Sequence, residues 1–403
     1  MKLSDVQQAR ERISKAIHHT PILHSSTFSK MCGNVICLKN ENFQRTGSFK
    51  VRGAYNKIAK LSDSEKSKPK RVVAASAGNH AQGVAYAATE RGITSYIVMP
   101  KNTPIAKVTA TEGYGANVVL DGDGYDDAYD VAQKMVKEKK GVFIHPFDDE
   151  DVIAGQGTVA LEILEDMPDT DAIIVPAGGG GLLAGVAFVA KQINPKIKVI
   201  GVQAEGANAI AQSFGAKKKI CSENIFTIAD GIAVKSPGDI SMDYINKYAD
   251  EVATVSDNDI AAAIILLIER SKQIVEPAGA TSLALMLTGM SSLNLKDKKV
   301  ACILSGGNID VGFISKIIEK GLVSRGRQMK FSVVLNDKPG SLATFSKIMG
   351  SNSANIIAMQ YDRMSTELAL NETILHIACE VGGFEHGKKV LDAIRQSGYK
   401  VIF

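Results

Sequence analysis

The run "PAGGGGLLAG" (residues 176–185) decides the architecture. Ahead of it, "DAIIVPAG" (171–178) is a short β-branched stretch of the kind that forms a buried parallel strand. Behind it, "LLAGVAFVAKQIN" (182–194) has helical length and apolar content. Strand, glycine loop and helix make up the unit of an open α/β sheet, where ligands bind beyond the carboxyl ends of the strands. Four successive glycines let the backbone approach an anion, and a helix start supplies free N–H groups and a favourable dipole. The same stretch also fits a dinucleotide pattern. Gly179, Gly181 and Ala184 give G-x-G-x-x-A, and Glu205 ends the next strand about 20 residues on. On this stretch alone a tight turn, a phosphate cradle and a nicotinamide site all remain open.

The alternation continues along most of the chain. "RVVAAS" (71–76), "TSYIVMP" (94–100), "NVVLDG" (117–122), "KVIGVQAE" (198–205) and "KVACILSGG" (299–307) read as buried parallel strands, with helical stretches such as "NHAQGVAYAATERG" (79–92) between them. This predicts one doubly wound α/β sheet, or two. Three strands end in small-residue loops, "SAGNH", "AGGGG" and "LSGGN", which should converge on one crevice.

After the basic connector "KGLVSRGRQ" (320–328) the pattern changes. Strand "MKFSVVL", turn "NDKPG", helix "SLATFSKIMGSNS", strands "NIIAMQYDR" and "ETILHIACE", helix "FEHGKKVLDAIRQSG" and strand "KVIF" give a ferredoxin-like β-α-β-β-α-β order. The expected division is a catalytic part over 1–325, with a smaller subdomain of about 50–150 inserted in it, and a separate module over 328–403.

Composition narrows the class. A hydrophobic fraction of 45% and a charged fraction of 22% over 403 residues are those of an ordinary globular protein of two or three domains. No apolar run reaches the ~18 residues of a membrane span. The run "MKLSDVQQARERISKAI" is polar throughout, which predicts no signal peptide. A net charge of +4, no tryptophan and 6% aromatics leave little for nucleic acid to bind. Cys32, Cys37, Cys221, Cys302 and Cys379 are scattered and form no C-x-x-C, which argues against disulfides and zinc and for a reducing compartment. The expectation is a soluble cytoplasmic protein.

The candidate chemistry sits in four further motifs. In "GSFKVRGA" (47–54), Lys50 stands between Phe49 and Val51. It either snorkels or lies desolvated with a lowered pKa, ready to attack a carbonyl. "SAGNHAQG" (76–83) gathers Ser76, Asn79 and His80 in one loop, a donor set for a carboxylate or ring oxygen; capping by Ser76 or Asn79 is the plainer reading. Ser305 in "LSGGNID" (304–310) could meet a heterocyclic nitrogen or merely close a turn. Glu276 in "EPAGA" (276–280) precedes a proline suited to the first helical position, so helix start is its first reading and a cofactor-side role its second. There is no H-E-x-x-H, no G-x-S-x-G and no metal-ligand spacing among the seven histidines.

Taken in order, "SFKVRGA", "SAGNHAQG", "AGGGGLLAG", "EPAGA" and "LSGGN" resemble the pyridoxal-phosphate enzymes of the tryptophan-synthase-β type, fold type II. Within that type the chain looks most like the threonine dehydratases and their serine-dehydratase and serine-racemase relatives, across residues about 15–325. The resemblance implies pyridoxal 5'-phosphate as cofactor, Lys50 as the Schiff-base lysine and Phe49 against the cofactor ring. It implies that Gly178, Gly179, Gly180 and Gly181 cradle the phosphate, which displaces the dinucleotide reading. Asn79 would meet the ring hydroxyl and Ser305 the pyridine nitrogen, while Ser76, Asn79 and His80 would receive the substrate carboxylate. The implied reaction is β-elimination from L-threonine to 2-oxobutanoate and ammonia, and from L-serine to pyruvate. The alternative is a serine or threo-3-hydroxyaspartate dehydratase of the same family. A neutral Ser305 makes a weaker electron sink than a carboxylate partner and so favours prompt loss of the β-hydroxyl.

Two departures matter. Racemising relatives carry a serine where this chain has Ala77, so elimination without appreciable racemisation is expected. Racemase-like relatives also bind a divalent cation through a Glu at the place of Glu205 and a nearby Asp. Ala211 stands about where that Asp would fall, so no metal site is expected. The C-terminal module resembles an ACT regulatory domain. That implies Asn336, Pro339, Gly340, Ser341, Leu342 and Asn355 as effector residues, isoleucine or valine as effector, and a homo-oligomer, dimer or tetramer. Two readings from other classes stand beside this one: a nicotinamide oxidoreductase on Gly179, Gly181, Ala184 and Glu205, and a non-catalytic amino-acid sensor on the C-terminal module.

Overall fold

The computed structural model describes residues 1–63, 68–139, 141–363 and 369–402. In chain order its first strands are β1 (Ile22–His24), β2 (Val35–Asn40), β3 (Arg71–Ala75), β4 (Thr94–Met99), β5 (Asn117–Leu120), β6 (Val142–Phe143), β7 (Ala172–Pro176), β8 (Lys198–Ala204), β9 (Glu251–Val255) and β10 (Lys299–Leu304). They build two sheets. The larger has the order β1-β2-β10-β7-β8-β9 and is parallel except for the β1–β2 edge; the smaller, β5-β4-β3-β6, is parallel throughout.

The β-branched runs form strands because helices cover both sheet faces. β7 is buried along its whole length, and β3, β8 and β10 are buried apart from their first residues. β5 differs from the expectation of a buried strand: it is the edge of the smaller sheet, and its side chains are half-buried or exposed. The two sheets have separate cores. Ile153, Leu183 and Val199 belong to one, Ile58, Val72 and Ile97 to the other. Each such side chain contributes about 1.5–3 kcal/mol on burial.

Two helices link these cores. The helix Lys50–Ser62 packs against the helix Glu150–Asp166, whose start Asp149 caps by accepting from the Asp151 and Val152 amides. Their crossing is backbone to backbone. A Cβ on Gly155 would lie 2.6 Å from both the Arg52 carbonyl oxygen and Gly53 Cα.

The chain divides into the compact units Met1–Ile309 and Asp310–Phe403, so the helix Val311–Ser324 groups with the second. The second unit holds β11 (Gln328–Asn336), the helix Ser341–Ser351, β12 (Asn355–Asp362), β13 (Glu372–Glu380), the helix Phe384–Gln396 and β14 (Val401–Ile402). Its sheet is antiparallel with the order β12-β13-β11-β14, the ferredoxin-like arrangement. Phe331, Val333 and Leu335 alternate inward along β11 onto Phe345, Leu375 and Ile394. Phe403, the last residue of "KVIF", lies outside the described residues. Among the described residues no helix is long and apolar enough to cross a membrane.

Candidate active site

A cavity of about 870 Å³ opens beyond the carboxyl ends of β3, β7 and β10. The three small-residue loops meet there: Ser76 to His80 after β3, Gly178 to Gly181 after β7, and Ser305 after β10. Phe49 and Lys50 complete the wall. Glu205 is exposed and is not among the lining residues.

Lys50 is the first residue of its helix, and backbone bonds fix the segment that leads into it. The Phe49 amide donates to the Ser305 carbonyl at 3.1 Å, the Gly307 amide donates to the Gly47 carbonyl at 2.8 Å, and Ser48 pairs with Gly306. The Lys50 ammonium donates to the Pro146 carbonyl at 2.9 Å and stands 5.4 Å from the centre of the Phe49 ring. Desolvation lowers its pKa from 10.5 to about 8 against the opposing pull of Glu276. The side chain is half-buried in the cavity wall, and its ammonium has a carbonyl rather than a carboxylate as its hydrogen-bond partner.

The loop after β3 is built differently from a side-chain cap. The helix Asn79–Glu90 has Gly78 at its cap position and no side-chain cap; Ser76 Oγ instead accepts the Gly78 amide at 3.2 Å. The side chain of Asn79 is held at both ends. Its Nδ2 donates to the two Glu276 oxygens at 2.8 and 3.0 Å, and its Oδ1 accepts from Asn308 Nδ2 at 2.8 Å. His80 is buried with Nε2 at 2.9 Å from the Ile144 carbonyl, so Nε2 carries the hydrogen and donates it. Burial, and secondarily Lys50, drop its pKa to about 3, so the ring stays neutral.

Glu276 does precede a helix, Pro277–Thr288, with Pro277 at its first position. Its carboxyl, however, faces the cavity. Burial pushes its pKa from 4.5 up to about 7, against the Asn79 bond that lowers it. The raised value has a stability consequence. Between about pH 4.5 and 7 the unfolded chain has lost a proton that the folded chain keeps, so folding loses stability as pH rises through that window. Glu276→Gln is expected to remove that slope, worth roughly 3 kcal/mol, which thermal unfolding of both proteins across the window would show. An unchanged slope would assign it to other groups.

The glycine loop is shaped by a segment that sequence reading missed. A Cβ on Gly179 would collide with the Phe147 ring, and one on Gly181 would lie 2.7 Å from the Phe147 carbonyl oxygen. Gly180 adopts φ +104°, a left-handed conformation that suits glycine. The helix Gly181–Ile193 makes its first intrahelical bond from Ala184 to Gly180, which leaves the amides of residues 181–183 without a helical acceptor. His145, Pro146 and Phe147 thus serve the site together: Pro146 holds the lysine and Phe147 packs on the loop. His145 Nδ1 fixes the turn by accepting the Asp148 amide at 2.8 Å. A short strand followed by "HPF" carries no periodicity that would have announced them.

In the second unit the effector candidates separate. Asn336 ends β11, Gly340 (φ +89°) precedes the helix at Ser341, and Pro339 and Leu342 flank them. Asn355 is not part of that cluster within one chain. Asn336 pairs with Glu372 at the start of β13, whereas Asn355 pairs with Glu380 at its far end and donates to that carboxylate at 2.9 Å.

A family profile described as pyridoxal-phosphate dependent enzyme matches residues 13–306. The chain is 43% identical over 399 residues to an L-threonine ammonia-lyase of Thermotoga maritima, an alignment covering 99% of this chain and 98% of that one. Among solved structures, a maize serine racemase matches with a TM-score of 0.75 at 38% identity, covering 80% of this chain and 98% of that one. The processed form of threonine deaminase isoform 2 from Solanum lycopersicum matches with a TM-score of 0.74 at 35% identity, covering 79% and 86%.

Proposed function

The chain belongs to the family of pyridoxal-phosphate-dependent enzymes, and on that premise we propose that it deaminates L-threonine to 2-oxobutanoate and ammonia, and L-serine to pyruvate. The observation that carries the reading is the Lys50 amine, desolvated to a pKa of about 8 on a cavity whose wall also holds the glycine loop. The residues fit the cofactor. The loop has no room for side chains at 179 and 181 and presents helix-start amides to an anion. Ser305 offers a buried neutral hydroxyl to a ring nitrogen, and Asn79 has a second Nδ2 hydrogen beside the one given to Glu276.

When bound, the cofactor supplies an electron sink for the charge left at Cα. The remaining steps fall to the chain. A pKa of about 8 leaves part of the Lys50 amine unprotonated near neutrality, able to take the proton from Cα. The amides at the start of the helix Asn79–Glu90, with Ser76, offer donors to the substrate carboxylate. His80 stays neutral and holds its place through Ile144. Ala77 has no transferable proton, so the product is keto acid without the opposite enantiomer.

The test is the visible absorption of the purified protein before and after L-threonine is added. A band that shifts while 2-oxobutanoate accumulates is expected. A protein that stays colourless and inert with added pyridoxal phosphate overturns the reading. The same assay run on L-serine is expected to give D-serine more than about 100-fold more slowly than pyruvate, since a missing acid/base group costs ~10²–10⁴. Comparable rates would restore a proton donor at the opposite face. Residues 336–342 are proposed to take isoleucine or valine in an ACT-type module that pairs into a homo-oligomer of a cytoplasmic enzyme. The turn into a helix start at Gly340 supports that reading.

A further inference from the structure

Four charged side chains lie buried behind the lysine helix, outside the cavity lining and without a part in the chemistry above. Arg52 is fully buried and carries two forked pairs. Its Nε and Nη2 donate to the two Glu41 oxygens at 2.8 Å each, and its Nη1 and Nη2 donate to the two Glu162 oxygens at 2.6 and 2.8 Å. Nη1 also donates to Thr158 Oγ1 at 3.1 Å. Lys39 completes the group by donating to Glu162 at 2.6 Å and to the Thr20 carbonyl at 2.5 Å. Two cations face two anions.

Such a cluster is an inefficient source of stability, because apolar side chains of similar volume are often as good or better. What it offers is direction, since a forked guanidinium–carboxylate pair fixes both distance and plane. The positions of the partners show what is being directed. Glu41 precedes Lys50 by nine residues and Arg52 follows it by two, so their pair closes the loop that carries the lysine. Glu162 ties the same guanidinium to the helix Glu150–Asp166, about two turns beyond the point where Gly155 abuts the Arg52 carbonyl. Two residues apart on a helix, side chains point ~200° away from each other. Holding Arg52 behind the helix therefore aims Lys50 forward into the cavity.

We infer that Arg52 is a positioning residue for Lys50: its paired carboxylates hold the first turn of the lysine helix so that the amine meets the cofactor aldehyde. The inference rests on the reading of Lys50 as the residue that captures that aldehyde. In the capture step the amine nitrogen bonds the aldehyde carbon, and the aldehyde oxygen leaves as water with both amine hydrogens.

Arg52→Lys keeps the charge and removes the fork. Two probes separate aim from anchoring: pyridoxal 5'-phosphate, which Lys50 can capture, and pyridoxamine 5'-phosphate, which has no aldehyde. In the variant, affinity for pyridoxamine 5'-phosphate is expected to stay within about three-fold of the parent, while the capture rate, followed by absorbance and by borohydride trapping on the Lys50 peptide, falls about 10- to 100-fold. An unchanged capture rate, or an equal loss in both measurements, overturns the inference. If Arg52→Lys does not fold, the pair Arg52→Met with Glu162→Gln keeps the cluster neutral without the fork, and the same split is expected. A failure of both proteins to fold assigns the cluster to the fold alone and also overturns it. Parent protein that gives no label on Lys50 would instead reject the reading of the lysine itself.

Discussion

Lys50→Ala is expected to lower kcat by about 10⁴-fold or more, because one side chain serves as both the covalent anchor and the base at Cα. The fold is expected to survive, since the amine gives up one bond to the Pro146 carbonyl and its burial is unfavourable to the charged form. The sign of that penalty provides a check that needs no substrate. With the folded pKa at about 8 and the ordinary value at 10.5, the unfolded chain holds a proton between those limits that the folded chain has released. Stability therefore rises with pH through that window and is lost again as pH falls toward 8. The rise belongs to the cofactor-free protein, in which Lys50 is a free amine, and should vanish in the variant; thermal unfolding of both proteins without cofactor over the window would show it. Folded Lys50→Ala protein that still turns over within ten-fold of the parent would remove the amine from the mechanism.

Gly179→Ala is expected to weaken pyridoxal phosphate binding by about 10- to 100-fold, since overpacking costs ~1–3 kcal/mol and each ~1.4 kcal/mol is a factor of ten. The new methyl group meets the Phe147 ring, which is itself held by the turn that His145 fixes, so neither partner yields easily. Shortening the ring in the double variant Gly179→Ala with Phe147→Leu should recover part of the loss. Titration of the cofactor-free protein measures both. Affinity unchanged in the single variant would mean that the phosphate is held elsewhere.

The parts of the site that could be read from the sequence are those that belong to a strand–loop unit. "SAGNH", "AGGGG" and "LSGGN" each end a β-branched run, and the packing of two parallel sheets brings their loops to one cavity. What could not be read depends on partners far away in the chain. The carboxyl of Glu276 looks like a helix-start residue until Asn79, 197 positions away, is seen to hold it. Asn308 closes the "LSGGN" loop, but its bonds to the Asn79 oxygen and the Thr46 carbonyl appear only once the chain is folded. Arg52, Lys39, Glu41 and Glu162 are types that ordinarily face water, and no local pattern says that four of them neutralise one another inside. β5 kept the composition of an inner strand while the sheet placed it at an edge, where one side has no neighbour.

The abutment of Gly155 on the Arg52 carbonyl and Gly53 has a consequence for warm conditions. Main-chain atoms have no rotamers, so this contact does not slacken when apolar side chains in the adjoining cores begin to hop between wells. It works as a shoulder on a shaft does, setting an end position that vibration elsewhere leaves alone. Lys50 is three residues from that stop, about 5 Å along the helix axis. The Cα of Lys50 inherits the stiffness of that backbone contact, while the aim of its amine rests on the side-chain ties around Arg52.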